Sequence, residues 1–62
     1  MPQFEILYKL PTFKLIDGKM RAATLVTVRL KDNRVVTVLL PYPESVVNDK
    51  LIEEKLRELK YI

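Results

Sequence analysis

The side chains that most enzymes use for acid–base or nucleophilic chemistry are nearly absent from this chain. It contains no cysteine and no histidine, and Ser45 is its only serine. Without a thiolate or an imidazole, the strongest nucleophile and the commonest base are both missing. Ser45 comes shortly before a helical pattern, where serine is typical of a helix cap or a turn. The sequence therefore predicts a protein that is not an enzyme.

The acidic residues and the single glycine have local structural interpretations. Asp17 and Asp32 occur in predicted turns, where aspartate is common for backbone reasons. Gly18 is the only glycine, and one glycine cannot build a loop that cradles phosphate. The C-terminal helical pattern contains three glutamates that are expected on its solvated face: Glu53, Glu54 and Glu58. Since Cys and His are absent as well, no zinc site and no cofactor are expected.

The basic residues are the polar groups whose distribution indicates a function. Residues 48–62 contain four acidic and four basic side chains, so the formal charge of +3 lies entirely in residues 1–47. An excess of positive charge on a sheet is typical of a surface that binds phosphate. The predicted phosphate-binding residues are Lys9, Lys14, Arg21, Arg29 and Lys31, assisted by the hydroxyl groups of Thr27 and Thr37.

A strand-rich first part of the chain and a helical last part must position these residues. The hydrophobic period changes near residues 41–45 from two, typical of strands, to about 3.6, typical of a helix. Pro41 and Pro43 end the third strand at this point. The predicted fold is α+β: a three-stranded antiparallel β-meander, whose long first strand bends at Pro11, with one C-terminal helix packed on one face. All 62 residues form one domain in this prediction.

Two turns decide the predicted strand register. Asp17-Gly18 is a strong signal for a two-residue hairpin loop. For the second turn, a two-residue Asp32-Asn33 loop divides the apolar residues between both faces of the sheet. A three-residue loop with Asn33 in the left-handed conformation keeps them on one face and is therefore favoured. It predicts two cross-strand pairs, Val28 with Val36 and Val26 with Val38.

The first strand changes its apolar parity near Pro11, which one inserted bulge residue there would explain. The residues predicted to face inward are Phe4, Ile6, Tyr8 and Leu10 before Pro11, and Phe13 and Leu15 after it. Because Phe4, Tyr8 and Phe13 are all assigned to the core, base stacking on exposed aromatic residues is disfavoured. Contact with the nucleic-acid backbone is the favoured form of binding.

The helix is predicted from its apolar arc, although its first residue is left open by one turn. Three residues are candidate N-caps: Ser45, Asn48 and Asp49. The apolar arc consists of Leu51, Ile52, Leu56, Leu59 and Ile62. A helix of this length is marginal in isolation, so it is expected to pack on the apolar face of the sheet.

Four apolar residues fall on outward positions of the predicted sheet: Leu7, Leu25, Val35 and Leu39. An exposed apolar patch of this kind often marks an interface. These residues support an alternative function, in which the chain is a protein–protein interaction module or forms a homodimer.

The favoured function is a non-enzymatic binding module whose sheet face contacts the nucleic-acid backbone, with structured RNA in a ribonucleoprotein preferred over DNA. No apolar run approaches the roughly 20 residues that span a bilayer, and the first residues lack the pattern of a signal peptide. A soluble cytoplasmic protein without a membrane partner is therefore expected. The bias toward Lys, Arg, Glu and branched aliphatic residues is one that thermophilic proteins share, and a short chain also reaches it by chance.

Overall fold

Three antiparallel strands and one helix make up the fold. A computed structural model describes residues 3–62 of the chain. The elements are β1 (Phe4–Ile16), β2 (Lys19–Leu30), β3 (Val35–Leu40), a one-turn 3-10 helix (Glu44–Val46) and α1 (Asp49–Glu58). The strands form a single sheet in the order β1-β2-β3. This confirms the predicted β-β-β-α architecture. None of the helices within residues 3–62 is long and apolar enough to cross a membrane.

Both turns have the backbone conformations that their residues favour. Asp17 and Gly18 adopt φ values of 52° and 78°, which are those of the hairpin turn that matches strand twist. Asn33 adopts φ 72°, and the loop closes with hydrogen bonds from Asn33 N–H to the Leu30 carbonyl and from Leu30 N–H to the Arg34 carbonyl. This is the predicted three-residue loop. The predicted pairs Val28–Val36 and Val26–Val38 are confirmed.

The hydrophobic core lies between α1 and one face of the sheet, which we call the helix face; the opposite face is called the open face. Ile52 and Leu56 of α1 are fully buried. They pack in one cluster with Val47 and with five residues of the sheet: Val26, Val28, Leu30, Val38 and Leu40. Phe4 and Ile6 extend the cluster onto β1, as predicted. No described residue of the open face belongs to this cluster.

The inserted residue in β1 lies at Leu7, not at Pro11. Pairing shifts by one residue between Ile6 and Tyr8 and is then regular through Pro11 to the turn. A two-residue turn makes Ile16–Lys19 a hydrogen-bonded pair, so alternation makes Pro11–Thr24 a non-hydrogen-bonded pair. The nitrogen of Pro11 therefore points to the free edge of β1. Its missing N–H costs no ladder bond, and no bulge is needed there.

This position of the bulge changes the face on which several β1 residues lie. Tyr8 pairs with Thr27 and Leu10 with Leu25, which places both on the open face, where they are 61% and 54% exposed. The prediction that they face the core is wrong for this reason. Lys9 moves the other way and lies opposite Val26 on the helix face.

Of the three candidate N-caps, the asparagine is the one that begins helix α1. The Asn48 side chain accepts a hydrogen bond from the Leu51 N–H at 2.9 Å, so Asn48 is the N-cap. Ser45 lies in the 3-10 helix and Asp49 is the first helical residue. Leu59, predicted in the apolar arc, is 46% exposed. Leu59 is the C-cap residue, so it lies at the end of the helix, beyond the fully buried Leu56.

A left-handed turn ends α1 and returns the chain to the core. Lys60 adopts φ 65°. The Lys60 N–H donates to the Arg57 carbonyl, and the Tyr61 N–H donates to the Leu56 carbonyl at 2.8 Å. These two bonds form the Schellman motif, in which the left-handed residue is usually glycine. Tyr61 and Ile62 consequently pack against the core, although Ile62 lies beyond the helix.

Lys60→Gly should raise the free energy of unfolding by about 0.5–1 kcal/mol, because glycine adopts the left-handed conformation without the steric cost that lysine bears. Urea denaturation measures this change. The control is Lys60→Ala, which removes the same charge but retains the steric cost, and it should not stabilise. Equal gains from both substitutions would attribute the effect to charge instead.

The β1–β2 hairpin extends beyond the rest of the molecule. β3 pairs only with residues 24–29 of β2, so residues 12–23 form a two-stranded hairpin that we call the ribbon. The ten residues of α1 span about 15 Å, whereas the 13 residues of β1, at about 3.3 Å each, are more than twice as long even when twist and the bulge shorten the strand. The helix therefore cannot cover the ribbon, which accounts for the elongated shape of 37 × 20 × 17 Å.

Candidate nucleic-acid interface

Three cations lie together on the open face of the ribbon. Lys14 and Arg21 are directly opposite each other, and Lys19 pairs with Ile16 one step diagonally from Lys14. Directly opposite side chains in a sheet are about 5 Å apart at Cβ, and diagonal neighbours are about 7–8 Å apart at most. All three cations are exposed. The hairpin thus concentrates three positive charges at its projecting end.

These three cations form no ion pair within the described part of the chain, and the one acid of the ribbon, Asp17, lies in its turn. The open face of the ribbon contains no acidic residue; its members are Thr12, Lys14, Ile16, Lys19, Arg21 and Ala23. Like charges directly opposite each other in a sheet are destabilising. A bound anion would relieve this repulsion.

A second group of polar residues lies at the other end of the sheet, beside the Asn33 turn. Arg29 forms an ion pair with Glu5 at 3.6 Å, and both side chains are substantially exposed. Lys31 is exposed in the loop that follows β2. A shallow groove of about 360 Å³ joins them; its lining residues are Gln3, Phe4, Glu5, Arg29, Leu30, Lys31 and Asn33. Glu5 partly neutralises this group.

The two groups do not form one continuous basic stripe. Arg21 and Arg29 are eight residues apart on β2, which corresponds to about 26 Å. A phosphate bound at one end is therefore not shared with the other. Of the five predicted cations, the structure brings Lys14 and Arg21 together at the ribbon and Arg29 and Lys31 together at the turn.

Two of the predicted site residues do not lie on an accessible open face. Lys9 is half-buried on the helix face, because the bulge at Leu7 reverses its direction. Thr27 is on the open face but only 4% exposed, and its hydroxyl is hydrogen-bonded to that of Thr37 at 2.9 Å. Thr37 itself is exposed. Lys9 and Thr27 are therefore removed from the candidate interface.

Arg34 is engaged by its own loop. Its backbone N–H donates to one oxygen of the Asp32 carboxylate at 3.1 Å, and its Nε donates to the other oxygen at 2.7 Å. The backbone hydrogen bond is the main reason why the pKa of Asp32 lies below its ordinary value, and the guanidinium adds to the effect. These bonds stabilise the turn and leave Arg34 compensated.

The centre of the open face is apolar. Leu10, Leu25 and Leu39 lie side by side in one row across all three strands, with Tyr8 in the neighbouring row. Leu25 and Leu39 are half-buried. The predicted apolar patch is corrected at two positions. Leu7 is the half-buried bulge residue, so Leu10 takes its place, and Val35 lies apart, opposite Arg29.

Lys19 and Tyr8 are the residues that the predicted site did not include. Lys19 alternates with Arg21 along β2, so strand parity was a sufficient signal for it. Tyr8 was assigned to the core, and only the position of the bulge shows that its ring lies on the open face. An exposed tyrosine can stack on a base, so one aromatic contact joins the cations as a candidate.

The described part of the molecule contains neither a candidate metal site nor an unpartnered buried polar side chain. Residues 3–62 contain no group of three or more acidic residues that could hold a metal ion. Within the same range, every buried polar side-chain atom has a hydrogen-bond partner, so none is left directed at an absent ligand. No protein-family model, curated protein or solved structure matches the chain.

Proposed function

We propose that this protein is a non-enzymatic nucleic-acid-binding module that contacts the phosphate backbone with the open face of its ribbon. The observation that supports this proposal most directly is the cluster of Lys14, Lys19 and Arg21. The cluster carries three exposed charges that form no ion pair within residues 3–62 and outnumber the single acid of the ribbon, Asp17 in its turn. A folded chain keeps such repulsion at a cost, and a polyanion is the ligand that offsets it.

The chemistry of the face favours backbone contact over base readout. Lysine and arginine on a flat ribbon reach phosphate oxygens, which position a protein but carry no sequence information. Thr12 lies two residues from Lys14 on the same face, and its hydroxyl can exchange hydrogen bonds with a ribose 2′-hydroxyl. This neighbour favours structured RNA as the preferred ligand.

Binding should weaken with salt in proportion to the number of phosphate contacts. Three contacts predict a log–log slope of affinity against salt of about −2 to −3, at about 0.9 per duplex-DNA contact or 0.7 for single strands. Fluorescence anisotropy with an RNA hairpin and a DNA duplex of matched sequence, at several salt concentrations, measures this slope. A slope near zero for both ligands would contradict the proposal. Tighter binding of the DNA duplex would contradict the preference for RNA.

A protein–protein interaction module remains the second candidate. The observation that favours it is the row formed by Leu10, Leu25 and Leu39, which lies on a face that no described helix packs against. A sheet with one uncovered apolar face commonly buries it against a second layer. In this function the cations at either end of the open face would lie at the rim of the contact.

A further inference from the structure

The helix face of the ribbon is a second exposed apolar surface, distinct from the row on the open face. Phe13, Leu15 and Met20 are 69%, 64% and 66% exposed, the highest exposures among the large apolar side chains of the described residues. Leu15 pairs with Met20 and Phe13 with Ala22, so the four side chains form one continuous patch. No charged residue of the ribbon strands lies on this face, because Lys14, Lys19 and Arg21 all occupy the other one.

This patch lies where the second layer of the molecule ends. Thr24, at the base of the ribbon, donates from its hydroxyl to the Tyr42 carbonyl at 2.9 Å, so the chain leaving β3 crosses the helix face there. The 3-10 helix that follows contacts β1. Beyond this point only the ribbon continues. The apolar face of the ribbon is thus bordered on one side by the segment around Tyr42, which is itself 40% exposed. We call this bordered surface the shelf.

We propose that a second copy of this chain occupies the shelf, with the two ribbons packed face to face about a two-fold axis. Sheets pack about 10 Å apart, and each ribbon would supply the layer that the other ribbon lacks. In this dimer the patch of one copy contacts the same patch of the other copy, as a two-fold symmetric contact requires. The cations of both copies point away from the contact, so they do not repel across it and remain free for an anion.

The charge distribution and the backbone select a second copy over two other occupants. A nucleic acid has no cation to bind on the helix face of the ribbon itself. A lipid bilayer would surround both free edges of the ribbon, and backbone N–H and C=O groups without partners are costly in an apolar medium. In a dimer the edges remain in water while the apolar side chains are buried.

The size of the patch sets the expected strength of the dimer. At about two-thirds exposure, Phe13, Leu15 and Met20 offer less than about 500 Å² between them, since even an aromatic side chain buries only about 150–250 Å². A stable interface of ordinary size needs about 800 Å² per partner. The ribbon face therefore supports a reversible dimer that forms at micromolar or higher concentration.

Sedimentation velocity of the full chain tests this inference independently of nucleic-acid binding. The wild type should shift from monomer to dimer between about 10 μM and about 1 mM, a span that covers weak affinities. The combined variant Phe13→Ser, Leu15→Thr and Met20→Thr should self-associate at least tenfold more weakly. Its circular dichroism should be unchanged, because all three side chains are largely exposed. The matched control, Leu25→Thr with Leu39→Thr, alters the open face and should dimerise like the wild type.

Three results would overturn the inference. The first is a wild type that stays monomeric up to about 1 mM. The second is a dimer that the open-face control dissociates while the ribbon variant keeps it, since the contact would then lie on the Leu10, Leu25 and Leu39 row. The third is a wild-type monomer that binds zwitterionic phosphatidylcholine vesicles through Phe13, Leu15 and Met20, which would make lipid the occupant.

Discussion

Leu56→Ala should remove much of the free energy of unfolding of this protein, with a loss of about 2–5 kcal/mol. Leu56 is fully buried at the centre of the contact between α1 and the sheet. Its carbonyl also accepts the hydrogen bond from Tyr61 that returns the end of the chain to the core. A domain of this length has a total free energy of unfolding of roughly 3–9 kcal/mol. The cavity alone would therefore remove a large part of it. Urea denaturation followed by circular dichroism measures the loss.

Leu59→Ala is the matched control for this substitution. It removes the same atoms from the same end of the helix, but Leu59 is 46% exposed and leaves no enclosed cavity. Its cost should stay below about 1 kcal/mol, as for most surface substitutions. If the two variants lost equal stability, or if Leu56→Ala denatured at the wild-type urea concentration, the helix would not pack as described.

Reversing Lys14 and Arg21 together to glutamate should weaken nucleic-acid binding by more than tenfold, or about 1.4 kcal/mol. The change removes two of the three cations of the ribbon and places anions against the phosphate backbone. It replaces one directly opposite like-charge pair with another and brings both glutamates near Lys19, so stability should not fall. A loss of binding would then be separated from a loss of folding. Anisotropy at low salt and a thermal melt measure the two quantities.

The control for this prediction is Lys50→Glu with Arg57→Glu, which makes the same change in net charge on exposed positions of α1. Its structural cost is small, since Arg57 loses only an exposed ion pair with Glu53 at 3.5 Å. If net charge alone governed binding, both double variants would bind equally poorly. That outcome would mean that the ribbon cations are only a solvated surface, and the proposed function would fail.

The sequence predicted the local elements well, because short-range physics decides them. Asp17-Gly18 and Asn33 are the residues that tolerate positive φ most readily, and each adopts it here. The three-residue loop then settled the β2–β3 register by keeping Val26 and Val28 on the apolar face. The helix cap was left among three residues, and Asn48 was among them.

The candidate site was predicted only in part, because one bulge decides the direction of half a strand. The sequence showed that β1 contains an inserted residue, and Pro11 marked a reasonable place for it. The same parity change is satisfied by an insertion at Leu7, since an edge strand accommodates proline without losing a hydrogen bond. That difference moved Lys9 off the open face and placed Tyr8 and Leu10 on it.

Composition and periodicity by themselves determined that this protein is a β-β-β-α unit with its excess of positive charge on the strands. Only the tertiary structure decided which part of those strands the helix covers. Alternation tells a residue's face, but exposure depends on whether another layer lies above it. A helix about 15 Å long cannot cover strands of 12 and 13 residues, which are more than twice as long. Phe13 and Leu15 therefore have the pattern of core residues and lie in solvent, on the face of the ribbon opposite its cations.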